Sequence, residues 1–173
     1  MELIAVCYPE LREKDHDFIQ SIRKKYDENY PMIGPHFTLI FPTAAIDRQQ
    51  FVDHCRRVCS DFRPFSILIR CALVNKFTRG DKWFAFLVPD EGFSHIVKLH
   101  DRLYTGILAD ELILEIPYIP HITMAQSKEA GVCKKVTDEF NERNFQIGGT
   151  VTKLDLTIFE PGKVMTFEKV ELG

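Results

Sequence analysis

The chain has 173 residues, 45% of them hydrophobic and 27% charged. That is the composition of one ordinary globular domain, long enough to bury roughly 70% of its unfolded surface with no need of disulfides or metal to fold. The 22 basic and 25 acidic side chains leave a formal charge of −3, which excludes a protein held on duplex DNA or an anionic membrane by bulk positive charge but permits a local basic rim around one small anion.

Taken in chain order, strand and helix patterns alternate with no Pro/Gly/Ser linker between them. Leu3 to Tyr8 is short, apolar and closed by Pro9, which predicts a strand. A helix follows from about Asp15, with Phe18, Ile22 and Tyr26 on its dry side and Arg23, Lys24 and Lys25 on a solvated one. Pro35 to Phe41 predicts a strand, Asp47 to Ser60 a helix burying Phe51, Cys55, Val58 and Cys59, and Phe65 to Val74 a strand. After a loop at Asn75 to Lys82 the order begins again. Trp83 to Val88 predicts a strand, Phe93 to Ile107 a helix, Tyr118 to Ala125 a strand, and Val132, Val136 and Phe140 a helix that Ser127 would cap. The last two strands, near Val151 to Phe159 and Lys163 to Leu172, turn at Pro161-Gly162. The pattern predicts a single α+β domain, residues 1–173, of two pseudo-symmetric lobes. The repeat halves cover about 1–80 and 81–173, with two mainly antiparallel sheets facing a central cleft and helices on the outer faces.

The cysteines, Cys7, Cys55, Cys59, Cys71 and Cys133, form no Cys-x-x-Cys pair and read as buried thiols of a reducing compartment. The N-terminal segment lacks a basic signal-peptide flank, and no apolar run approaches the roughly 20 residues that span a bilayer. A cytoplasmic monomer is expected. Cys55, Cys59 and His54 are close in sequence, but the cysteines fall on the apolar stripe of their helix, so core packing is expected there and no metal.

One motif recurs on the third element of each half: Pro35-His36-Phe37-Thr38-Leu39 and Pro120-His121-Ile122-Thr123-Met124. Side chains alternate across a strand, so each His and its Thr share one face while Phe37, Leu39 and Phe41, or Ile122 and Met124, take the apolar one. Such a set is equipped for acid–base work: near neutral pH one imidazole can take a proton while the other, protonated, gives one, and two hydroxyls can donate to oxygens of an anionic substrate, with no cofactor expected. His16, His54, His95 and His100 lack the motif and are expected at the surface or partly buried.

Paired His-x-Thr-hydrophobic motifs in a duplicated α+β chain resemble the 2H phosphoesterase superfamily, which includes the 2'-5' RNA ligase-like proteins and cyclic phosphodiesterases. The resemblance covers nearly the whole chain and implies a bilobal fold in which one lobe holds both chain ends and the other the middle. It implies catalysis by His36, Thr38, His121 and Thr123, with His121 as base and His36 as acid. The implied substrate is a nucleotide or RNA terminus carrying a 2',3'-cyclic phosphate or a 2'-5' linkage, with weak RNA end-joining in reverse. Substrate contacts are expected from the loop that interleaves basic and aromatic residues, through Lys76, Arg79 or Lys82 and by stacking on Phe77 or Trp83, and from Tyr118 at a strand end. The alternative is a non-catalytic nucleotide- or RNA-binding module on the same fold.

Overall fold

A computed structural model describes residues 2–77 and 80–173. Among the described residues nine strands and four α-helices follow in the order β1 (Glu2–Cys7), β2 (Glu10–Leu11), α1 (Glu13–Tyr26), β3 (Phe37–Thr43), α2 (Arg48–Cys59), β4 (Phe65–Lys76), β5 (Trp83–Glu91), α3 (Phe93–Leu103), β6 (Ile122–Ser127), α4 (Ala130–Asn141), β7 (Ile147–Val151), β8 (Lys153–Glu160) and β9 (Lys163–Glu171). Two antiparallel sheets result. One has the order β3-β1-β8-β9 and therefore joins both chain ends; the other, β2-β7-β4-β5-β6, is built mostly from the middle. No helix among the described residues is long and apolar enough to cross a membrane.

Local chemistry accounts for the element ends. Asp47 caps α2 by accepting from the Gln49 and Gln50 amides. Gly92, at φ +82°, starts α3 where a Cβ would stand 2.6 Å from the Ser66 carbonyl, so no other residue fits that corner. Gly162, also left-handed, turns the β8–β9 hairpin. Pro42 is tolerated inside β3 because β3 is an edge strand, and Pro89 inside β5 because the β5–β6 pairing has ended by Leu87.

The core is continuous. α4 packs on β4, β5 and β6, α1 on β6, and α2 and α3 on each other and on the four-stranded sheet. Cys7, Phe37, Leu39, Phe51, Leu87, Leu99, Ile122, Met124 and Leu156 are fully buried in it.

Several expectations change. Ser127 does not cap α4: its hydroxyl accepts from the Glu129 amide, one residue ahead of the helix. The predicted helix to Ile107 stops at Leu103, and a 3-10 turn covers Gly106–Glu111. The strand predicted near Val151 to Phe159 is β8, and β7, just ahead of it and in the other sheet, was not predicted. Phe41 is exposed, because register shifts in the β1–β3 pairing bury Ile40 after Leu39 and turn Phe41 outward. Cys71 is exposed while the other four thiols are buried. His54 and His100 are buried rather than superficial; His54 Nε2 donates to the Leu103 carbonyl and its Nδ1 accepts from Arg57.

Candidate active site

Each motif histidine stands one residue ahead of its strand, directly after a buried proline that holds the preceding residue extended. The same local contact follows in both. His36 Nδ1 lies 2.8 Å from the Gly34 carbonyl, and His121 Nδ1 lies 2.6 Å from the Ile119 carbonyl, in each case two residues back. A carbonyl oxygen only accepts, so Nδ1 carries the proton in both rings and Nε2 keeps its lone pair. Thr38 and Thr123 follow on the same faces, opposite Val6 on β1 and Phe86 on β5.

His36, Thr38 and Thr123 line one cleft of about 180 Å³ together with Arg23, Asp27, Asn29 and Pro35. His121 is not among the residues that line it; its ring stacks on Phe86, the cross-strand neighbour of Thr123, with centroids 3.5 Å apart, while Tyr8 meets His36 edge-on at 6.1 Å. Burial pulls both imidazoles down from 6.5 to about 4 against the help of their carbonyl partners. The Arg23 charge lowers His36 further and Asp27 opposes it; His36 itself lowers His121, so the two rings sense each other. Between pH 6.5 and about 4 an unfolded chain thus binds protons that the folded one refuses. Stability is expected to fall as pH drops through this window. A His36→Gln/His121→Gln variant should flatten that fall in Tm followed by circular dichroism.

Arg23, expected on the solvated face of its helix, is instead 2% exposed. Its guanidinium bonds Asp27 (2.9 Å), Gln20 (2.8 Å) and the Ile33 carbonyl (2.8 Å), and Asp27 in turn accepts from Gln126 (2.7 Å) and the Asn29 amide (3.0 Å). The pair therefore ties the loop ahead of His36 to the strand that carries Thr123. The buried stripe of α1 is Asp15, Ile19 and Arg23, at successive four-residue steps, with Phe18, Ile22 and Tyr26 only partly covered. The opposite charges of Arg23 and Asp27, four apart, were the available sequence signal.

The expected substrate contacts do not gather here. Lys76 and Trp83 are cross-strand partners, with the Lys76 ammonium 5.4 Å from the Trp83 ring centroid. They share the face of Ala85 and Leu87, toward α4, because alternation along β5 gives the cleft face to Phe84 and Phe86 instead. Lys82 bonds Glu28 and Gln126 beside the Arg23–Asp27 pair. Tyr118 stacks on His100 at 3.6 Å and donates to the Thr38 carbonyl at 2.8 Å, so it braces β3 against α3. Arg79 lies outside the described residues. Cys55 and Cys59 are sealed in the core with their thiols pushed up by burial, and among the described residues no group of three or more His, Cys, Asp and Glu could hold a metal ion.

Two antiparallel sheets that present matched His-x-Thr strands around one cleft define a bilobal fold of the two-histidine type. The chain belongs to the 2'-5' RNA ligase superfamily, whose family model matches residues 10–163. A Geobacillus sp. (strain WCH70) protein named "Putative phosphoesterase" is 27% identical over 160 residues, covering 91% of this chain and 89% of its own. Two solved structures share the fold. The Thermus thermophilus protein TT0787 has a TM-score of 0.60 at 16% identity, over 99% of this chain and 98% of that one. Escherichia coli LigT complexed with 3'-AMP has a TM-score of 0.54 at 14% identity, over 99% and 96%.

Proposed function

We propose that this protein is a phosphoesterase that opens a small ribose phosphodiester, either a 2',3'-cyclic phosphate or a 2'-5' linkage, by two-histidine acid–base catalysis. The observation that carries this reading is the matched pair of Nδ1–H to carbonyl locks, which leaves the Nε2 lone pair free on both motif histidines, together with the cleft that His36 and both motif threonines line. His121 Nε2 accepts a proton from water as the water oxygen bonds to phosphorus. His36, as imidazolium, protonates the ribose oxygen as its bond to phosphorus breaks. Thr38 and Thr123 donate to the non-bridging oxygens. An imidazole held near 4 by burial gains a counter-charge when the anionic phosphodiester docks, which favours the protonated form that the acid requires. Run backward, the same steps join a hydroxyl to a cyclic phosphate, so weak RNA end-joining accompanies hydrolysis. A nucleotide or RNA terminus suits a chain with a net charge of −3 better than long RNA tracked by its backbone, and the fold relative LigT was solved with 3'-AMP.

The test is turnover of the 2',3'-cyclic nucleotides and of 2'-5' linked dinucleotides with EDTA present. Conversion to a nucleoside monophosphate, unaffected by the chelator, is expected. Nucleotide binding with no turnover of any of them would replace this reading with that of a binding module.

A further inference from the structure

A row of aromatic side chains leads from His121 out to the surface. The His121 ring stacks on Phe86 at 3.5 Å, Phe86 lies 5.5 Å from Phe84, and Phe84 meets Phe77 at 6.2 Å with the ring planes steeply crossed. Burial falls along the row: Phe86 is 8% exposed, Phe84 is half-buried and Phe77 is 44% exposed. The row follows the cleft. On β6 the partner of Phe86 is Thr123 and that of Phe84 is Gln126. Thr123 lines the cleft, and Gln126 donates to Asp27, which lines it too. Cross-strand partners project from one face, so Phe84 and Phe86 stand on the side of the sheet that Thr123 presents. Core packing does not account for the outer end. Ala85 and Leu87 are the β5 residues fully buried in the core, while Phe77 stands just past the end of β4. Contiguous apolar surface that runs from a cleft into solvent marks a binding groove.

We infer that Phe84 and Phe77 form a stacking track for two successive bases, so that the preferred substrate is the end of an RNA strand and not a free cyclic nucleotide. The inference rests on the phosphodiester reading given above. His121 covers Phe86, which leaves Phe84 as the first ring open to a ligand. A phosphate attacked beside His121 carries its own ribose and base outward over that ring, and the base before it in the strand falls on Phe77. Every base has a π-face, so stacking of this kind tolerates any sequence. The polar side chain next to Phe84 does not read base edges, because Gln126 is already engaged by Asp27 and Lys82. Lys82 is itself paired with Glu28. The track therefore counts bases without naming them, and stacking supplies its affinity in place of phosphate contacts.

The test compares kcat/KM for a 2',3'-cyclic mononucleotide with that for di- and trinucleotides ending in the same cyclic phosphate. Kd is measured for the matching 3'-phosphate ends, and both series are run in wild type, Phe77→Ala and Phe84→Leu. Wild type is expected to favour the dinucleotide over the mononucleotide by roughly 10- to 100-fold in both measurements, the usual worth of one base on an aromatic ring. The trinucleotide should gain nothing further. Phe77→Ala should bring the dinucleotide level with the mononucleotide, and Phe84→Leu, which keeps apolar bulk but removes the ring, should weaken both. The dinucleotide's advantage should survive raised salt, because stacking releases no counterions. Equal treatment of the two lengths by wild type would overturn the track and leave the phosphodiester reading standing. An advantage that persists in Phe77→Ala, or that vanishes with salt, would also overturn it. Phe77 is exposed, so its variant decides alone should Phe84→Leu fail to fold. A dinucleotide advantage in Kd with no turnover would remove the catalytic reading and leave the track.

Discussion

His36→Ala and His121→Ala are each expected to lower kcat on a 2',3'-cyclic nucleotide by roughly 10²- to 10⁴-fold, the usual worth of one positioned acid or base. The fold should persist, because each ring stands just ahead of its strand, only partly buried, and makes a single hydrogen bond, to a backbone carbonyl of its own chain. If the two act in one proton relay, removing both should cost little more than removing either, since groups that work as a unit are not additive. The check is a pre-steady-state and steady-state comparison of both single variants and the double. Wild-type rates in the double variant would end the mechanism. Asparagine in place of either histidine offers no titratable nitrogen, so a rate loss as large as that of alanine would separate acid–base chemistry from mere contact.

The second large effect is on stability. Asp27→Ala leaves the Arg23 guanidinium buried beside an empty space, where the side chains of the pair are now 2% and 1% exposed. Breaking a buried ion pair from one side typically costs about 3–5 kcal/mol. For a chain of this size that lowers Tm by on the order of 10 °C. Two further bonds go with it, from Gln126 and the Asn29 amide. Replacing both members at once, Arg23→Met with Asp27→Leu, removes the charge along with its partner and should restore most of the loss. Thermal unfolding of the single and double variants decides it. A double variant no more stable than Asp27→Ala would show that the Ile33 and Gln20 contacts, and not the uncompensated charge, carry the effect.

The His-x-Thr strands were legible because a period of two needs no tertiary information: once Phe37 and Ile122 are buried, the histidines and threonines must share the other face. Arg23 was not legible. A run of three basic residues reads as solvated, and what buries the first of them is a carboxylate beyond the helix end and a carbonyl ten residues on. The Trp83-Phe84-Ala85-Phe86 run was ambiguous in another way. Large aromatics occupy both faces, and only the packing of α4 decides that Trp83 faces the helix and Phe86 the cleft. The break between β7 and β8 depends on which sheet each strand joins, and that pairing has no local signature beyond one residue outside both strands, Thr152.

The hydrogen bond from each motif histidine to a carbonyl of its own chain has a consequence for direction. In many acid–base pairs a carboxylate behind one imidazole marks it permanently as the stronger base. Here both rings lean on a neutral peptide oxygen, two residues back, so the scaffold writes nearly the same proton affinity on each side of the cleft. Under the proposed chemistry it is the substrate's handedness, the end of the diester that faces each lobe, that breaks the tie. Donor and acceptor exchange roles when the ligand is turned around, and a single cleft of this kind is equally prepared for either sense of the reaction.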